Sequence, residues 1–580
     1  MAEKIEDTLI KRNLISPERL HEAQEEHKKS GLPIGQILLQ KGYVREEDLA
    51  RALADQFKIP FIRFGKFLVA KDVIEKIPAK LAVHYKTVPI KFADNTLTIA
   101  ISDLQNIRVL DDIRVALKSK YRIEAVLATE TEILNSIKKY YGLGAETVEG
   151  IIEHEHAEEK TAASPQKEIG IPEIEDIEKM AGDASIVKLV NQVLLEAHRK
   201  RATDIHIEPY REKLQLRYRV DGILYPAEMP EHIRKFLPAI ISRIKIMSNL
   251  NIVERRLPQD GRATIKVGVQ KMDLRISILP TPHGESVVIR ILPTSMLLRL
   301  DDLGLDEPHQ KILEKLIQKP HGIIFVTGPT GAGKSTTLYA SLATINTSIR
   351  KIITIEDPIE YELEGITQIQ VLPQIGLTFA AGLRSMLRHD PDVMMVGEVR
   401  DFETAELAIR IALTGHLVFS TLHTNDASSA VTRLIDMGID PFLVVSSVEC
   451  FIAQRLIRLI CDKCKKEDKR DFSPELTKEI LEAQRHHPGE FKAMVGEGCE
   501  QCNFSGFKGR TGIHEFLLLT RVIKDLVMKK ASADEIKRAA IENSMRTLRQ
   551  AGWDKVVKGM TTVDEILRVT QVAADEDNVA

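Results

Sequence analysis

Residues 328–336 read GPTGAGKST, and the apolar run Ile323-Ile324-Phe325-Val326 leads into them. The pattern is G-x-x-x-x-G-K-[ST], set between a buried strand and a helix-forming stretch from Ser335 to Leu342. Gly328, Gly331 and Gly333 let the backbone curl so that successive N–H groups face phosphate oxygens, and the helix start adds the positive end of its dipole. Pro329, Thr330, Ala332 and Thr336 complete the loop. Lys334 is expected to reach the β- and γ-phosphates, and the Ser335 hydroxyl to ligate Mg²⁺. The stretch therefore predicts a nucleoside triphosphate site.

The chain has 580 residues, too many for one core, and is expected to hold about three to five domains. Its formal net charge is −3 and aromatics make up only 5% of it, which argues against a general nucleic-acid coat. The start, MAEKIEDTLIKR, has no apolar core for a signal peptide. The most apolar stretch, Pro441 to Ile460, carries Glu449, Gln454, Arg455 and Arg458, so no membrane span is expected. The expected location is cytoplasmic, with any membrane association made through partners.

Upstream of the loop, residues 5–61 read as a tandem repeat at an offset of 29: Ile5, Leu9, Leu14, Ile15, Leu20 and Ala23 align with Ile34, Leu38, Tyr43, Val44, Leu49 and Ala52. Each unit is a helix, a turn at Asn13 or Gly42, and a second helix. Strands Thr87–Phe92 and Thr96–Ile101 follow, joined by a turn at Asp94-Asn95. Acidic, weakly apolar sequence from Glu146 to Glu178 reads as an extended linker, and His154 and His156 within it as solvated. Residues 184–300 read as an α+β unit: a helix at Ser185–Lys200, strands at Asp204–Glu208 and Leu214–Val220, a turn at Asp221-Gly222, a helix around Phe236–Ser248, and strands Ala263–Val267, Lys271–Leu279 and Ser286–Leu292. Alternation puts Arg275 and Arg290 on the polar faces of the last two strands.

From 301 to 455 strands alternate with helices: Ile323–Thr327, Ile352–Glu356, Val393–Gly397 and Leu417–Leu422. That pattern predicts a mostly parallel sheet, with ligands at the carboxyl ends of its strands, and the polar motifs are expected at those ends. ITIEDPIEY ends in acids, of which Glu356 is the candidate to orient or deprotonate the attacking water, with Asp357 and Glu360 beside it. In GEVRD, Glu398 follows an apolar strand and is the candidate to reach Mg²⁺ through water. His416 and His423 bracket the next strand and are candidates to sense the γ-phosphate and couple it to loop movement.

Cys461-x-x-Cys464 and Cys499-x-x-Cys502 are separated by 34 residues. Two such pairs supply four thiolates for a closed tetrahedral Zn²⁺ site of structural character. Cys450 lies in apolar sequence and reads as a core thiol.

The phosphate loop, IEDPIEY, GEVRD and GHLVFSTLHTN, in that order, resemble the secretion ATPase superfamily that drives type II secretion and type IV pili. RATDIHIEPY, RVDG, RLPQDGR and LPTPHGESVVIR extend the resemblance over roughly residues 180–570. It implies an α/β fold with a RecA-like core (301–455), a preceding α+β, PAS-like domain (184–300), a small zinc-binding insertion (456–515) and a C-terminal helical region (516–580). An N-terminal domain (1–145), helical at its start, and a linker (146–183) precede these. It implies ATP hydrolysis with Mg²⁺ by a hexameric ring, in which Arg275 and Arg290 match the arginines that close onto the triphosphate. Retraction motors resemble the same engine without the zinc insertion or the long N-terminal region, so this chain resembles assembly or export motors. Pilus assembly through an inner-membrane platform protein is the expected role, and type II protein export is the alternative. A nucleic-acid translocase is disfavoured by the acidity and by the lack of a basic, aromatic-bearing segment, and a signalling receptor by the complete set of catalytic boxes. The N-terminal repeat resembles a domain that binds cyclic di-GMP in some members. Lys4-Ile5-Glu6 and Pro33-Ile34-Gly35 stand where an Arg-Leu-Gly start is typical, so platform docking is the expected role there.

Overall fold

A computed structural model describes residues 9–10, 12, 14–30, 34–64, 69–102, 108–117, 120–142, 184–267, 270–293, 299–484 and 491–570. The linker read at 146–183, with His154 and His156, lies outside these residues, as do residues 4–6 and Pro33 of the repeat starts. The chain divides into two compact units, residues 1–292 and 293–580.

The first unit opens with the helices of the repeat: α1 (Pro17–Ser30), α2 (Ile34–Gln40) and α3 (Glu46–Phe57). Leu9, Ile15, Leu20, Ala23, Ile37, Leu38, Val44, Leu49 and Ala52 form one small core, so the apolar positions that define the repeat are those that pack. Strands β1 (Thr87–Ala93), β2 (Thr96–Ile101) and β3 (Arg122–Leu127) form a sheet. Asp94 (φ 47°) and Asn95 (φ 57°) are both left-handed, as the two-residue turn between β1 and β2 requires. The parallel partner β3 was not apparent from sequence, because its exposed Arg122 and Glu124 weaken the apolar pattern.

Six further strands lie in the order β6-β5-β4-β9-β8-β7: β4 (Ala202–Pro209), β5 (Leu214–Val220), β6 (Ile223–Ala227), β7 (Gln259–Val267), β8 (Gln270–Thr281) and β9 (Gly284–Pro293). The alternating apolar residues of β4, β5, β8 and β9 pack with α4 (Ala184–Arg199) and α5 (Leu237–Met247) in one core. Arg275 sits opposite Arg262 across the β7–β8 pair, and Arg290 Nε lies 3.1 Å from Asp204 Oδ1.

The second unit is built on a seven-stranded sheet, β12-β11-β13-β14-β10-β15-β18. Its strands are β10 (Gly322–Thr327), β11 (Ile352–Glu356), β12 (Thr367–Gln370), β13 (Val393–Val396), β14 (Leu417–Leu422), β15 (Val448–Ile460) and β18 (Phe507–Leu518). All neighbours are parallel except β15 and β18. Every residue of β10, β11, β13 and β14 is buried, as expected where helices cover both faces. One face packs on α6 (Glu307–Leu316) and α7 (Lys334–Ile345). The other packs on α8 (Phe402–Leu413), α9 (Ala427–Asp436) and the C-terminal helices α10 (Arg521–Met528), α11 (Ala533–Glu542), α12 (Leu548–Val557) and α13 (Val563–Thr570).

β15 runs on to Ile460 and β18 begins at Phe507, so both strands cross the boundaries read at 455 and 515. Their pairing, from Cys450↔Leu518 to Ile460↔Phe507, spans a long insertion that sequence periodicity does not bridge. The insertion adds β16 (Lys465–Glu467) and β17 (Met494–Gly496), paired antiparallel. Among the described residues no helix is long and apolar enough to cross a membrane.

Trp553, the only tryptophan of the chain, is 1% exposed on α12 and donates to Glu479 Oε2 at 2.9 Å. Trp553→Ala is expected to cost the second unit about 3–5 kcal/mol, seen as a lower urea midpoint by circular dichroism.

Candidate nucleotide site and cysteine cluster

The phosphate loop follows β10 directly, and α7 begins at Lys334. β10 pairs with β15 in the register Thr327↔Ala453, which carries Gln454 alongside the loop. A Cβ on Gly328 (φ 152°) would lie 2.6 Å from the Gln454 carbonyl oxygen, and one on Gly333 (φ 87°) 2.9 Å from Gln454 Nε2. Both positions therefore require glycine. At Gly331 nothing lies within 4 Å of a Cβ position, so the outer rim of the loop is open. Gln454 Oε1 also accepts from the Thr337 hydroxyl at 2.7 Å, fastening the first turns of α7. Lys334 Nζ donates to the carbonyls of Gly328 (2.8 Å) and Pro329 (3.2 Å). Burial brings its pKa down to about 8; Glu398 opposes that shift and Arg455 adds to it.

Glu398 follows β13 at its carboxyl end. Arg400 Nη2 lies 2.5 Å from Glu398 Oε1, and His423 Nε2 lies 3.4 Å from Oε2. Burial, and then the Lys334 charge, push the His423 pKa below its ordinary value. The structure thus gathers Lys334, Glu398 and His423 beside the loop. A cavity of about 400 Å³ bounded by Val399, Arg400, Leu422, His423 and Arg433 opens next to them.

The other candidates are placed differently. Glu356 ends β11 but is 4% exposed and engaged at both oxygens. The Tyr339 hydroxyl of α7 donates to Oε2, while Oε1 accepts from Thr354 Oγ1 (2.5 Å) and Gln368 Nε2 (3.1 Å). Asp357 beside it is exposed, and the Glu360 N–H donates to the Tyr339 hydroxyl at 3.2 Å. His416 corrects the expectation that all polar motifs gather at the carboxyl ends. It precedes β14, about 20 Å of strand from His423 by rise per residue. Its Nδ1 lies 3.1 Å from Thr414 Oγ1 and 3.2 Å from the Ile411 carbonyl. Arg275 and Arg290 belong to the first unit. Sequence reasoning missed Tyr339, Gln368, Gln454 and Arg455. Gln454 and Arg455 break the apolar run of β15, but only strand register reveals what they face.

The sulfurs of Cys461, Cys464, Cys499 and Cys502 all lie within 4.8 Å of one another. Cys461–Cys499, Cys464–Cys502 and Cys499–Cys502 are each 3.8 Å apart. A disulfide needs about 2.05 Å, whereas tetrahedral Zn–S bonds of about 2.3 Å place sulfurs about 3.8 Å apart. The cluster has the spacing of a four-thiolate metal site. Gly496 and Gly506 pass so closely that a Cβ on Gly496 would lie 2.1 Å from the Gly506 carbonyl oxygen, which closes the knuckle. Cys450 is fully buried in the sheet, as expected.

A mostly parallel sheet with a phosphate loop after an interior strand, and an acid and a histidine at adjacent strand ends, defines a P-loop ATPase. Residues 179–568 match the family described as Type II/IV secretion system protein, and residues 57–147 match the MshEN domain. The chain is 42% identical over 569 residues to the Type IV pilus assembly ATPase PilB of Myxococcus xanthus, covering 98% of this chain and 99% of that protein. It is 38% identical over 575 residues to the Type II secretion system protein E of Xanthomonas campestris pv. campestris, again covering 98% and 99%. The crystal structure of the pilus retraction motor PilT with bound ADP is similar at 26% identity and a TM-score of 0.44, covering 66% of this chain and 97% of that one. The chain belongs to the Type II/IV secretion system protein family. The MshEN match falls mostly downstream of the tandem repeat, on the segment that carries β1 to β3.

Lys334 gives this site a pH signature. Its pKa near 8 is below the ordinary lysine value, and a bound triphosphate would raise it, so binding takes up protons above about pH 7. Affinity is therefore expected to be greatest below pH 8 and to fall above it. Calorimetry at pH 8 in buffers of different ionisation enthalpy should show uptake of up to about half a proton per ATP; Lys334→Met should abolish it.

Proposed function

We propose that this protein is a hexameric, Mg²⁺-dependent ATP hydrolase that powers type IV pilus assembly from the cytoplasmic face of the inner membrane, through a platform protein. The full-length similarity to a pilus assembly ATPase carries the choice of machine. The meeting of Lys334, Glu398 and His423 beside the phosphate loop supports the chemistry.

In this reading the backbone N–H groups of residues 328–336 hold the phosphates, and Lys334 exchanges its contacts with the Gly328 and Pro329 carbonyls for phosphate oxygens. Ser335 and Glu398 would hold Mg²⁺, which would supply charge compensation during phosphoryl transfer. Glu398 faces the loop, whereas Glu356 already accepts from three donors. Glu356 acts from behind the site, holding Tyr339 and the end of β11, and Glu398 supplies the carboxylate nearest the attacking water. Arg275 and Arg290 are assigned to the transferred phosphoryl on the strength of the family resemblance. His423 relays phosphate loss to its loop, and His416, at the far end of β14, acts on that strand's entry. The four cysteines hold structural Zn²⁺. Platform docking is the role assigned to the N-terminal repeat, with cyclic di-GMP the alternative ligand that the MshEN match at residues 57–147 keeps open, and nucleic acid is not an expected partner.

The second reading, a type II secretion motor, is supported by the 38% identity across nearly the whole chain. A chromosomal deletion scored in parallel for surface pili and for protein secretion decides between them: pili should be lost and secretion kept, and the reverse result favours export.

Lys334→Ala is expected to abolish hydrolysis with the fold intact by circular dichroism; normal turnover would sink the ATPase site. Glu398→Gln should bind ATP and lower kcat by about 100-fold or more, and more than Glu356→Gln does. Metal analysis should give one zinc per chain, lost in Cys461→Ser together with a lower melting midpoint.

A further inference from the structure

Two side chains in the middle of β15 flank the phosphate loop, and Gln454 contacts it from one face of the sheet. Strand alternation sends Arg455 to the opposite face, the one covered by α9 and the C-terminal helices. Its Nη2 donates to the Asn425 carbonyl at 2.9 Å and to Asn425 Oδ1 at 3.3 Å, and its Nη1 to the Gln454 carbonyl at 3.3 Å. Nη1 also lies 3.3 Å from where a Cβ on Gly328 would be. The guanidinium therefore crosses the first residue of the phosphate loop, from β15 on one side of β10 to the segment after β14 on the other.

That segment begins with His423. Thr424 is tied to the last residue of β10: its N–H donates to Thr327 Oγ1 at 2.9 Å, and the two hydroxyls are 2.7 Å apart. Asn425 is held by Arg455, Asp426 Oδ2 accepts from Lys537 Nζ at 2.8 Å, and the Ala427 N–H donates to Glu515 Oε1 at 2.9 Å. Four consecutive residues are thus gripped from four different elements. Arg455 is half-buried, and burial lowers its pKa, yet its acceptors are neutral amide oxygens. Asp426 and Glu515 oppose that shift from a distance. A planar guanidinium can bond both sides of the loop at once, and a lysine cannot.

We infer that Arg455 is a positioning residue for ATP hydrolysis: it clamps the segment carrying His423 against the entrance of the phosphate loop, so that His423 and Glu398 keep their places during turnover. This rests on the ATPase reading above. Arg455 acts on the reaction step and not on nucleotide capture, because three of its five N–H donors are directed to Asn425 and Gln454, which fixes the guanidinium between protein segments.

The test uses the full-length protein with Mg-ATP, measuring steady-state kinetics and the binding of a fluorescent ADP analogue. Arg455→Ala is expected to lower kcat about tenfold, with KM and the ADP dissociation constant within about twofold of wild type. Arg455→Lys should recover part of the loss, since its amine reaches one carbonyl. A kcat within twofold of wild type in Arg455→Ala overturns the inference. So does a parallel loss of ADP affinity and melting midpoint that lysine does not relieve, which would make Arg455 a general brace. If Arg455→Ala does not fold, Arg455→Lys decides alone: reduced kcat with unchanged ADP affinity supports the clamp, and wild-type kcat removes it. Wild-type protein that does not hydrolyse ATP would overturn the ATPase reading and this one with it; a hydrolysing wild type with an indifferent Arg455 overturns only the clamp.

Discussion

The parallel pairing of β10 with β15, Thr327 against Ala453, is the constraint on which the site depends. β10 stops where the phosphate loop begins, but β15 continues for seven residues beyond Ala453. The overhang forms a wall. Gln454 uses its carbonyl and its amide against two glycines and the start of α7, and Arg455 crosses the same loop on the other face. A slip of one residue would exchange the two faces and put the guanidinium where the amide must fit. The apolar residues before them, Phe451 and Ala453 on one face and Cys450 and Ile452 on the other, are buried in two different cores and hold that register.

The acidic groups divide by depth. Glu356 is enclosed by Tyr339, Thr354 and Gln368, which join β11, β12 and α7, so the carboxylate links the helix behind the phosphate loop to the strand three places away from β10. Glu398 lies one strand nearer and faces Lys334, Arg400 and His423. One acid ties elements together, and the other sits among charged and titratable side chains beside the loop. Glu515 is a third, unused by the chemistry: its two oxygens accept from Ala427 and Leu548 N–H groups at two helix N-termini. It joins the loop after β14 to the C-terminal helices.

The cysteine insertion hangs from the same strand pair that walls the site. Cys461 follows the last residue of β15, and β18 starts five residues after Cys502. A metal at the four sulfurs would clamp the open end of the β15–β18 ladder, which places a structural contribution one strand away from the phosphate loop.

Much of this was legible in the sequence. The loop GPTGAGKST, the strands before each acid and both two-residue turns rest on local rules: glycine for positive φ, alternation for a half-buried strand, a continuous apolar run for a buried one. The four cysteines announced their cluster by spacing alone. Local rules stop at partners distant in the chain. β3 was hidden by its exposed charges, β15 and β18 by the insertion between them, and the engagement of Glu356 by Gln368 and Tyr339 required the helix and two strands to be packed first. His416 and His423 look equivalent on either side of one strand in sequence; the parallel direction of β14 puts only His423 at the phosphate end. The sequence by itself determined the phosphate loop and the four-cysteine cluster, because these are made by contiguous residues or close pairs. Which acid and which histidine lie beside the loop was decided by strand order and direction, because those groups are brought together by hydrogen bonds between segments about a hundred residues or more apart.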